Sequence, residues 1–411
     1  MSGPNLFRAF RVDEVDHVEL ELVLSQFCHG ARQSGPHQVL YGGSGSHDYA
    51  LSLLYTKDDT IKAIEPGPIL TTQLIALIAC EVEAKLIAVT EHKIVREVLF
   101  AAVPLKGAYR FEQRFQILPL PEVAPKANLS SAKQPFELEV KAPASTDPLV
   151  NNIRSHRMCR EIELLLSGLG DSSIHSLRPG LNERWVLIPD PHRVALLQEY
   201  YEVPPRELDG TTFAAADESI SLVSPEELFG PLSRVFGQPL RFPNNITASL
   251  STYYGLGKSE RETVLRICYW IQFARTILHQ SRSAAYMAIV TAVEAFFEDA
   301  PETTCAHCEQ RLPGGKGKRA QFAEFLDQHV PLGGLTIDFV GQLRFKDRLK
   351  YLYDKRSSIT HGDLLLGADA EQMMAFRPVE NQEDHDLWTL LRIMPYALAK
   401  WLLVVSQPKS S

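Results

Sequence analysis

The last third of the chain is dominated by apolar residues that recur three and four positions apart. The first stripe consists of Val264, Ile267, Cys268, Ile271, Ala274 and Leu278. The second stripe consists of Tyr286, Ile289, Val290, Val293 and Phe297. Residues at this spacing lie on one side of an α-helix. Because each stripe has to be buried against another element, the pattern predicts helices packed face to face.

Two further helices complete this region. One is predicted from about residue 337 to Arg356. The last begins near Asp386, and its apolar residues are Leu390, Leu391, Met394, Leu398, Trp401 and Leu402. Pro395 should kink this helix, because proline removes a backbone donor and clashes with the preceding turn. Helices with one apolar face each predict a bundle over residues 251–408.

Residues 1–120 are predicted to form a mixed α/β region. Its clearest element is a hairpin of Tyr49–Tyr55 and Thr60–Ile64, joined by a short charged turn. Residues 110–118 alternate between apolar and polar side chains, which is typical of a strand. Residues 69–103 carry a long apolar pattern that fits either a helix or a strand.

Prolines are concentrated between residues 121 and 148, which predicts a linker. A smaller α/β region is predicted at residues 149–250, with a helix near Val150–Leu166 and a strand at Trp185–Ile188. The fold class predicted for the whole chain is therefore α+β, with an N-terminal mixed α/β region followed by a C-terminal all-α bundle.

Composition excludes several classes of protein. The chain has 411 residues, 45% hydrophobic and 22% charged, and such values are typical of a globular protein with two or three domains. The first 30 residues carry seven charged side chains between Arg8 and Glu21 and no long apolar core, so we expect no secretory signal. The apolar, uncharged run that comes nearest to a membrane span is residues 66–80, which is shorter than the roughly 20 residues of a spanning helix, so we expect no membrane segment. The isolated cysteines favour a reducing, cytoplasmic location, and they are Cys28, Cys80, Cys159 and Cys268.

The segment LYDKRSSITHGD, residues 352–363, carries the residues best suited to catalysis. The imidazole of His361 can accept a proton near neutral pH. The guanidinium of Arg356 can hold a phosphate oxygen through parallel hydrogen bonds. An imidazole and a guanidinium together are suited to cleavage of a phosphodiester.

This segment and the helix before it resemble the HEPN superfamily, and in particular its Apea-like branch. The signature is an arginine, four to six further residues and a histidine, which Arg356 and His361 match. An acidic residue on a preceding helix is also typical, and SAAYMAIVTAVEAFF, residues 283–297, supplies Glu294. The resemblance covers roughly residues 259–405.

The resemblance implies a HEPN-like bundle and a metal-independent endoribonuclease that needs no cofactor. It implies an RNA substrate, with tRNA among the candidates, and a homodimer formed through the helical bundle. It also suggests a role in antiviral defence or as a toxin.

Each residue of the motif has an expected role. His361 would take the proton of the ribose 2′-hydroxyl, and Arg356 would stabilise the charge that develops on the phosphate oxygens. Glu294 would orient Arg356. The residues expected to contact the substrate are Tyr353, Ser357, Lys350 and Lys355. Many members of the superfamily have a strongly polar Asn, Asp or His where this chain has Ser357.

The spacing of the motif adds a geometric condition. Five residues of ideal α-helix turn by about 140°, so Arg356 and His361 would not share a face of one helix. Either the helix ends or bends near Ser357 and Ser358, or residues of two chains meet. The resemblance implies the second arrangement, because HEPN proteins typically pair their motifs across a dimer interface.

Basic residues surround the motif, and they have two interpretations. Those on the helix are Arg344, Lys346, Arg348, Lys350, Lys355 and Arg356. Those on the preceding segment are Arg311, Lys316, Lys318 and Arg319. With the aromatic residues between them, they would suit contacts with the phosphates of a nucleic acid. The alternative is a solvated helix face, in which Arg356 pairs with Asp354 or Glu294.

An insertion at residues 301–318 contains Cys305 and Cys308 in a CxxC arrangement. The pair could supply half of a zinc site, completed by His329 or by a partner chain, or it could be an unmetallated pair. The glycine-rich segment at residues 255–259 lacks the first glycine of a phosphate-binding loop, and the one at residues 42–45 is expected to be a turn.

Two other functions remain open. The first is a catalytically silent HEPN-type module that binds RNA, a nucleotide or a partner protein, which Ser357 and the net charge of -8 favour. The second is a structural dimerisation bundle, which would leave the basic residues unexplained. A histidine followed by glycine is also a common way to end a helix, and His361 could have that role alone.

Overall fold

In the computed structural model, most of the chain is described. The described residues are 16–28, 30–42, 49–56, 61–69, 71–87, 91–120, 127–128, 134–176, 185–190, 193–198, 200–201, 210–215, 218–230, 238–297, 303–304, 311–312, 317–330, 345–366, 369 and 382–405. Strands and sheets are concentrated in the N-terminal part and helices in the C-terminal part. The expected mixed α/β content is therefore confirmed.

Two compact units divide the chain, and both are discontinuous. The first consists of residues 1–95, 140–159 and 208–213. The second consists of residues 96–139, 160–207 and 214–411. This division does not follow the boundaries expected at residues 120, 148 and 250. Each unit is formed by segments that lie far apart in the sequence. Local composition does not reveal which distant segments pack together.

The first unit contains a four-stranded antiparallel sheet. Its elements are α1 (His17–Ser25), β1 (Ala31–Gln33), β2 (Gln38–Tyr41), β3 (Leu51–Tyr55), β4 (Ile61–Pro66), α2 (Thr72–Val82) and a π-helical turn (Glu83–Ile87). The predicted hairpin is confirmed by the antiparallel pairing of β3 and β4. Its core consists of Leu20, Val23, Leu24, Cys28, Tyr41, Ala50, Leu51, Leu53, Ile61, Ile64, Ile78, Val82, Leu86 and Val150.

A five-stranded sheet has the order β10-β5-β9-β7-β6. Its strands are β5 (Glu91–Ala101), β6 (Tyr109–Phe111), β7 (Phe115–Pro119), β9 (Gln134–Ala144) and β10 (His175–Ser176), with β8 (Ala127–Asn128) before β9. The single strand predicted at residues 110–118 is wrong. The chain reverses at Glu112, whose φ is 49°, and Phe111 pairs with Phe115. The linker predicted at residues 121–148 contains strand β8 and the long strand β9.

Helix α3 (Pro148–Leu169) confirms the helix expected near Val150–Leu166. The following elements are β11 (Trp185–Asp190), β12 (Arg193–Gln198), β13 (Tyr200–Tyr201), β14 (Leu222–Val223), α4 (Pro225–Phe229) and β15 (Phe242–Pro243). The strand expected at Trp185–Ile188 is β11, which pairs with β12.

The helical region begins earlier than predicted. Its helices are α5 (Ile246–Gly255), α6 (Lys258–Ile277), α7 (Arg282–Glu294), α8 (Lys318–His329), α9 (Phe345–Thr360) and α10 (Gln382–Val405), with short strands β16 (Thr303–Thr304) and β17 (Arg311–Leu312) between α7 and α8. The stripes of α6 and α7 are buried as predicted except for Leu278 and Phe297, which are half-buried and lie beyond the ends of the helices. These two helices pack against each other. Helix α8 was missed because its apolar residues are few. Pro395 lies inside α10.

Helix α10 has a second notable property. Its residues His385–Val405 are long and apolar enough to cross a membrane by length and composition, with a mean hydropathy of 1.3. In this structure 61% of that stretch is buried against the rest of the protein, and a core helix passes the same test. The stretch is therefore only weak evidence for a membrane span.

Candidate functional site

The carboxylate of Glu294 joins the end of α7 to the middle of α9. Its Oε1 accepts a hydrogen bond of 2.8 Å from the Tyr353 hydroxyl, and its Oε2 accepts one of 3.0 Å from Arg356 Nη2. A second contact fixes the same two helices, because the buried Tyr286 hydroxyl of α7 donates to the Leu352 carbonyl at 2.8 Å. The predicted pairing of Glu294 with Arg356 is therefore present.

Burial differs between the members of this cluster. The Glu294 side chain is 13% exposed and that of Arg356 is 25% exposed. The Nε of Arg356 is buried and has no hydrogen-bond partner among the described residues. Burial, followed by the hydrogen bond to Glu294 and its negative charge, raises the pKa of Tyr353 to about 12. The tyrosine is therefore a neutral donor at neutral pH, and Arg356 is held but still reaches solvent.

The histidine of the motif lies at the very end of α9. Gly362 has a φ of 79°, and its backbone N–H donates to the Ile359 carbonyl at 3.1 Å. The N–H of Asp363 donates to the Ser358 carbonyl at 3.0 Å. These two bonds form a Schellman C-terminal cap, in which the left-handed position favours glycine. His361 is exposed and is the last residue before that glycine.

Arg356 and His361 are not brought together within one chain. Helix α9 continues through Thr360, and the His361 N–H still donates to the Ser357 carbonyl at 3.0 Å. The proposed end or bend near Ser357 and Ser358 is therefore absent. The two side chains leave the helix axis about 140° apart. The arrangement that joins two chains stays a prediction.

The residues expected to contact substrate are distributed around α9. Tyr353 is bound to Glu294, and Ser357 is half-buried, one position after Arg356. Lys350 is partly exposed and lies 3.4 Å from Asp347. Lys355 was expected to contact substrate, but only 6% of its side chain is exposed, and its Nζ donates to Asp386 at 2.5 Å. A buried lysine on another side of the helix cannot reach a substrate held at Arg356.

Acidic partners balance the basic residues of α9. Lys346 lies 3.9 Å from Glu324 and 3.8 Å from Asp327 on α8. The other pairs are Arg348 with Asp386, Lys350 with Asp347, Lys355 with Asp386, Arg356 with Glu294, and Arg319 of α8 with Asp354. Arg344, Lys316 and the side chain of Arg311 lie outside the described residues. The described part of the helix is a charge-paired face, not an open basic surface.

Sequence reasoning missed two acidic residues that organise this region. Asp386 is 1% exposed and binds both Arg348 and Lys355. Asp369 accepts hydrogen bonds from the backbone N–H groups of Arg282 and Ser283, at 2.9 and 2.7 Å, and so caps the start of α7. Both lie far along the chain from their partners. Nothing in the sequence singles out Asp386, because it follows Glu383 and Asp384 at the start of α10.

A metal centre finds no support among the described residues, which contain no group of three or more side chains able to hold an ion. The predicted CxxC pair, Cys305 and Cys308, lies outside the described residues. His329 is 7% exposed, and its Nδ1 lies 2.8 Å from the Phe325 carbonyl within α8. Burial lowers the pKa of His329, so it is favoured in the neutral form.

Comparison with known proteins finds no family model, no curated protein and no solved structure that matches this chain. The resemblance to the HEPN superfamily therefore depends on the residues of the motif and the helices that carry them. A function for this chain has to be inferred from those residues and their contacts.

Proposed function

We propose that this protein is a metal-independent endoribonuclease of the HEPN type. The observation that carries the proposal is the ion pair between Arg356 and Glu294, which fixes a partly exposed cation between two helices. Glu294 occupies one nitrogen of the guanidinium, and an arginine has five N–H donors. The guanidinium therefore keeps N–H donors for a phosphate oxygen, and the Glu294 carboxylate fixes the position of that guanidinium.

The proposed reaction is attack of the ribose 2′-hydroxyl on the adjacent phosphorus. His361 is the base that takes the hydroxyl proton, and its exposure leaves the imidazole open to substrate. Arg356 stabilises the charge on the phosphate oxygens, a role that contributes about 3 kcal/mol for one donor in other enzymes. The products are a 2′,3′-cyclic phosphate and a 5′-hydroxyl. DNA has no 2′-hydroxyl and is not cleaved.

The proposal includes a homodimer. Because Arg356 and His361 leave α9 about 140° apart, one chain cannot direct both at the same phosphate. A site formed by Arg356 of one protomer and His361 of the other meets this condition, and two-fold symmetry then creates two identical sites. The role in defence or as a toxin belongs to the same proposal and rests on the resemblance. The proposed cytoplasmic location rests on the isolated cysteines.

Mixing two inactive variants tests the proposed site. Arg356→Ala and His361→Ala should each abolish cleavage of labelled RNA in EDTA. After the two variants are unfolded and refolded together, half of the dimers are mixed and each mixed dimer has one intact site, so about one quarter of the wild-type activity returns. The measurement is the rate of cleavage and the identification of cyclic-phosphate ends.

Two controls accompany this experiment. RNA with 2′-O-methyl groups should resist the wild-type protein, because the nucleophile is blocked. Melting curves establish that each variant is folded. Activity in either single variant, or DNA cleavage at the same rate as RNA, would contradict the proposal. If the wild type cleaves RNA but the two variants refolded together regain no activity, a site shared between two protomers is contradicted.

A second function is a catalytically silent HEPN-type module that binds RNA, a nucleotide or a partner protein. Ser357, at a position where many members of the superfamily have a strongly polar residue, and the net charge of -8 favour it. Binding of RNA that persists in Arg356→Ala, without cleavage by the wild type, would support this module instead.

A further inference from the structure

A buried charge cluster joins α9 to α10 on a different side of α9 from Glu294. Asp386 lies at its centre with 1% of its side chain exposed. Arg348 Nη2 donates to Oδ1 of this aspartate, and Lys355 Nζ donates to Oδ2 at 2.5 Å. The side chains of Arg348 and Lys355 are 9% and 6% exposed, so the whole cluster is screened from water.

The cluster contains more positive than negative charge. Among the described residues, Asp386 is the one carboxylate within ion-pair distance of Arg348 or Lys355. The Nε of Arg348 is buried and has no hydrogen-bond partner in the described part of the chain. Burying an unbalanced charge costs several kcal/mol per ion, and buried donors without partners are rare in native proteins. The cluster therefore has both charge and a donor available for a further anion.

Tyr351 contacts both cations and is itself 41% exposed. Its ring centre lies 4.9 Å from the Cζ of Arg348 and 5.0 Å from the Nζ of Lys355. All three residues belong to α9, at positions three and four apart, so they lie together on one part of its surface. The ring of Tyr351 is therefore the exposed part of this cluster and lies beside both cations.

We infer that Arg348 and Lys355 form a binding site for a phosphate-type oxyanion, covered by the ring of Tyr351. The planar guanidinium supplies donors for two oxygens, and the ammonium supplies a point charge, which is a common combination for phosphate. The oxyanion is either free phosphate or the phosphate of an RNA strand. In the second case the exposed ring of Tyr351 also offers a face on which a base can stack. This site does not depend on cleavage by Arg356 and His361.

Binding of inorganic phosphate to the full chain tests the site directly. Calorimetric titration should show saturable binding, compared with sodium chloride at the same ionic strength. Arg348→Gln should weaken it by about 10-fold or more, because a hydrogen-bonded arginine contributes roughly 1.5–3 kcal/mol to a charged partner. This variant leaves Lys355 and Asp386 as a neutral pair, so the fold should be retained. Lys346→Gln is the matched control, since it removes the same charge from the same helix outside the cluster.

A short single-stranded RNA distinguishes the two sources of phosphate. Tighter binding of the oligonucleotide than of inorganic phosphate, weakened by Tyr351→Leu, would assign the site to an RNA strand. Equal or weaker binding of the oligonucleotide would assign it to free phosphate. Absence of saturable phosphate binding to the wild type, or an equal loss in Arg348→Gln and Lys346→Gln, would overturn the inference.

Discussion

Helix α9 is held by two carboxylates, and the two contacts differ in depth and in charge balance. Glu294 is 13% exposed and pairs with one cation, Arg356, together with the neutral hydroxyl of Tyr353. Asp386 is 1% exposed and pairs with two cations, Arg348 and Lys355. The first contact leaves a cation partly open to solvent, where it can meet a substrate.

The second contact encloses its charges, and this difference separates the roles of the two carboxylates. Removing the carboxylate at Asp386 should mainly affect folding, because the two cations left behind would be almost fully buried without a counter-charge. Removing the one at Glu294 should mainly affect the position of Arg356, because that side chain can find water as a replacement partner.

The largest effect is expected from Asp386→Asn. The change leaves Arg348 and Lys355 buried without a counter-charge, so the free energy of unfolding should fall by about 3–5 kcal/mol. Urea denaturation measures it, with Glu294→Gln as the matched loss of one carboxylate that contacts the same helix, α9. An equal or smaller loss in Asp386→Asn than in Glu294→Gln would remove the distinction between the two contacts.

Gly362→Ala changes the end of α9 without touching either carboxylate. Alanine in the left-handed conformation costs about 1 kcal/mol or somewhat more, so this variant should be less stable by that amount. Gly255→Ala is the matched control, because Gly255 ends α5 without a positive φ and a new Cβ there meets no atom within 4 Å. Equal stability of the two variants in urea would mean that the cap does not fix His361.

Much of the helical region could be predicted from sequence, because the stripes of α6 and α7 are local patterns. The pairing of Glu294 with Arg356 could also be anticipated, since the resemblance supplied it. The role of Lys355 could not be predicted from the sequence. Its burial depends on Asp386, which lies 31 residues further along the chain. A basic residue on a helix has the same local pattern whether it faces solvent or a buried carboxylate, so only the packing of α10 decides between them.

Glu294→Gln should have a smaller effect on stability than Asp386→Asn. Because Arg356 keeps access to water, the loss should be about 1 kcal/mol. The more specific result is a change in the pKa of Tyr353. Burial, and after it the contact with Glu294, raises this pKa to about 12. Without the negative charge this pKa should fall toward 10, and burial should keep it from falling the whole way. Carbon-13 labelled tyrosine spectra measure the titration, with Tyr353→Phe to assign the signal. An unchanged pKa would exclude Glu294 as a cause.

The smallest effect is expected at the exposed pair of Arg319 and Asp354. Their atoms Nη2 and Oδ2 are 2.5 Å apart, closer than those of Arg356 and Glu294, but their side chains are 53% and 49% exposed. Water and salt screen such a pair, so the coupling energy from Arg319→Ala, Asp354→Ala and the double variant should be about 0.5 kcal/mol or less. The same cycle with Arg356→Ala and Glu294→Ala should give a larger value. If the exposed pair couples as strongly, then distance rather than burial decides how firmly α9 is held, and Arg356 has no special position on it.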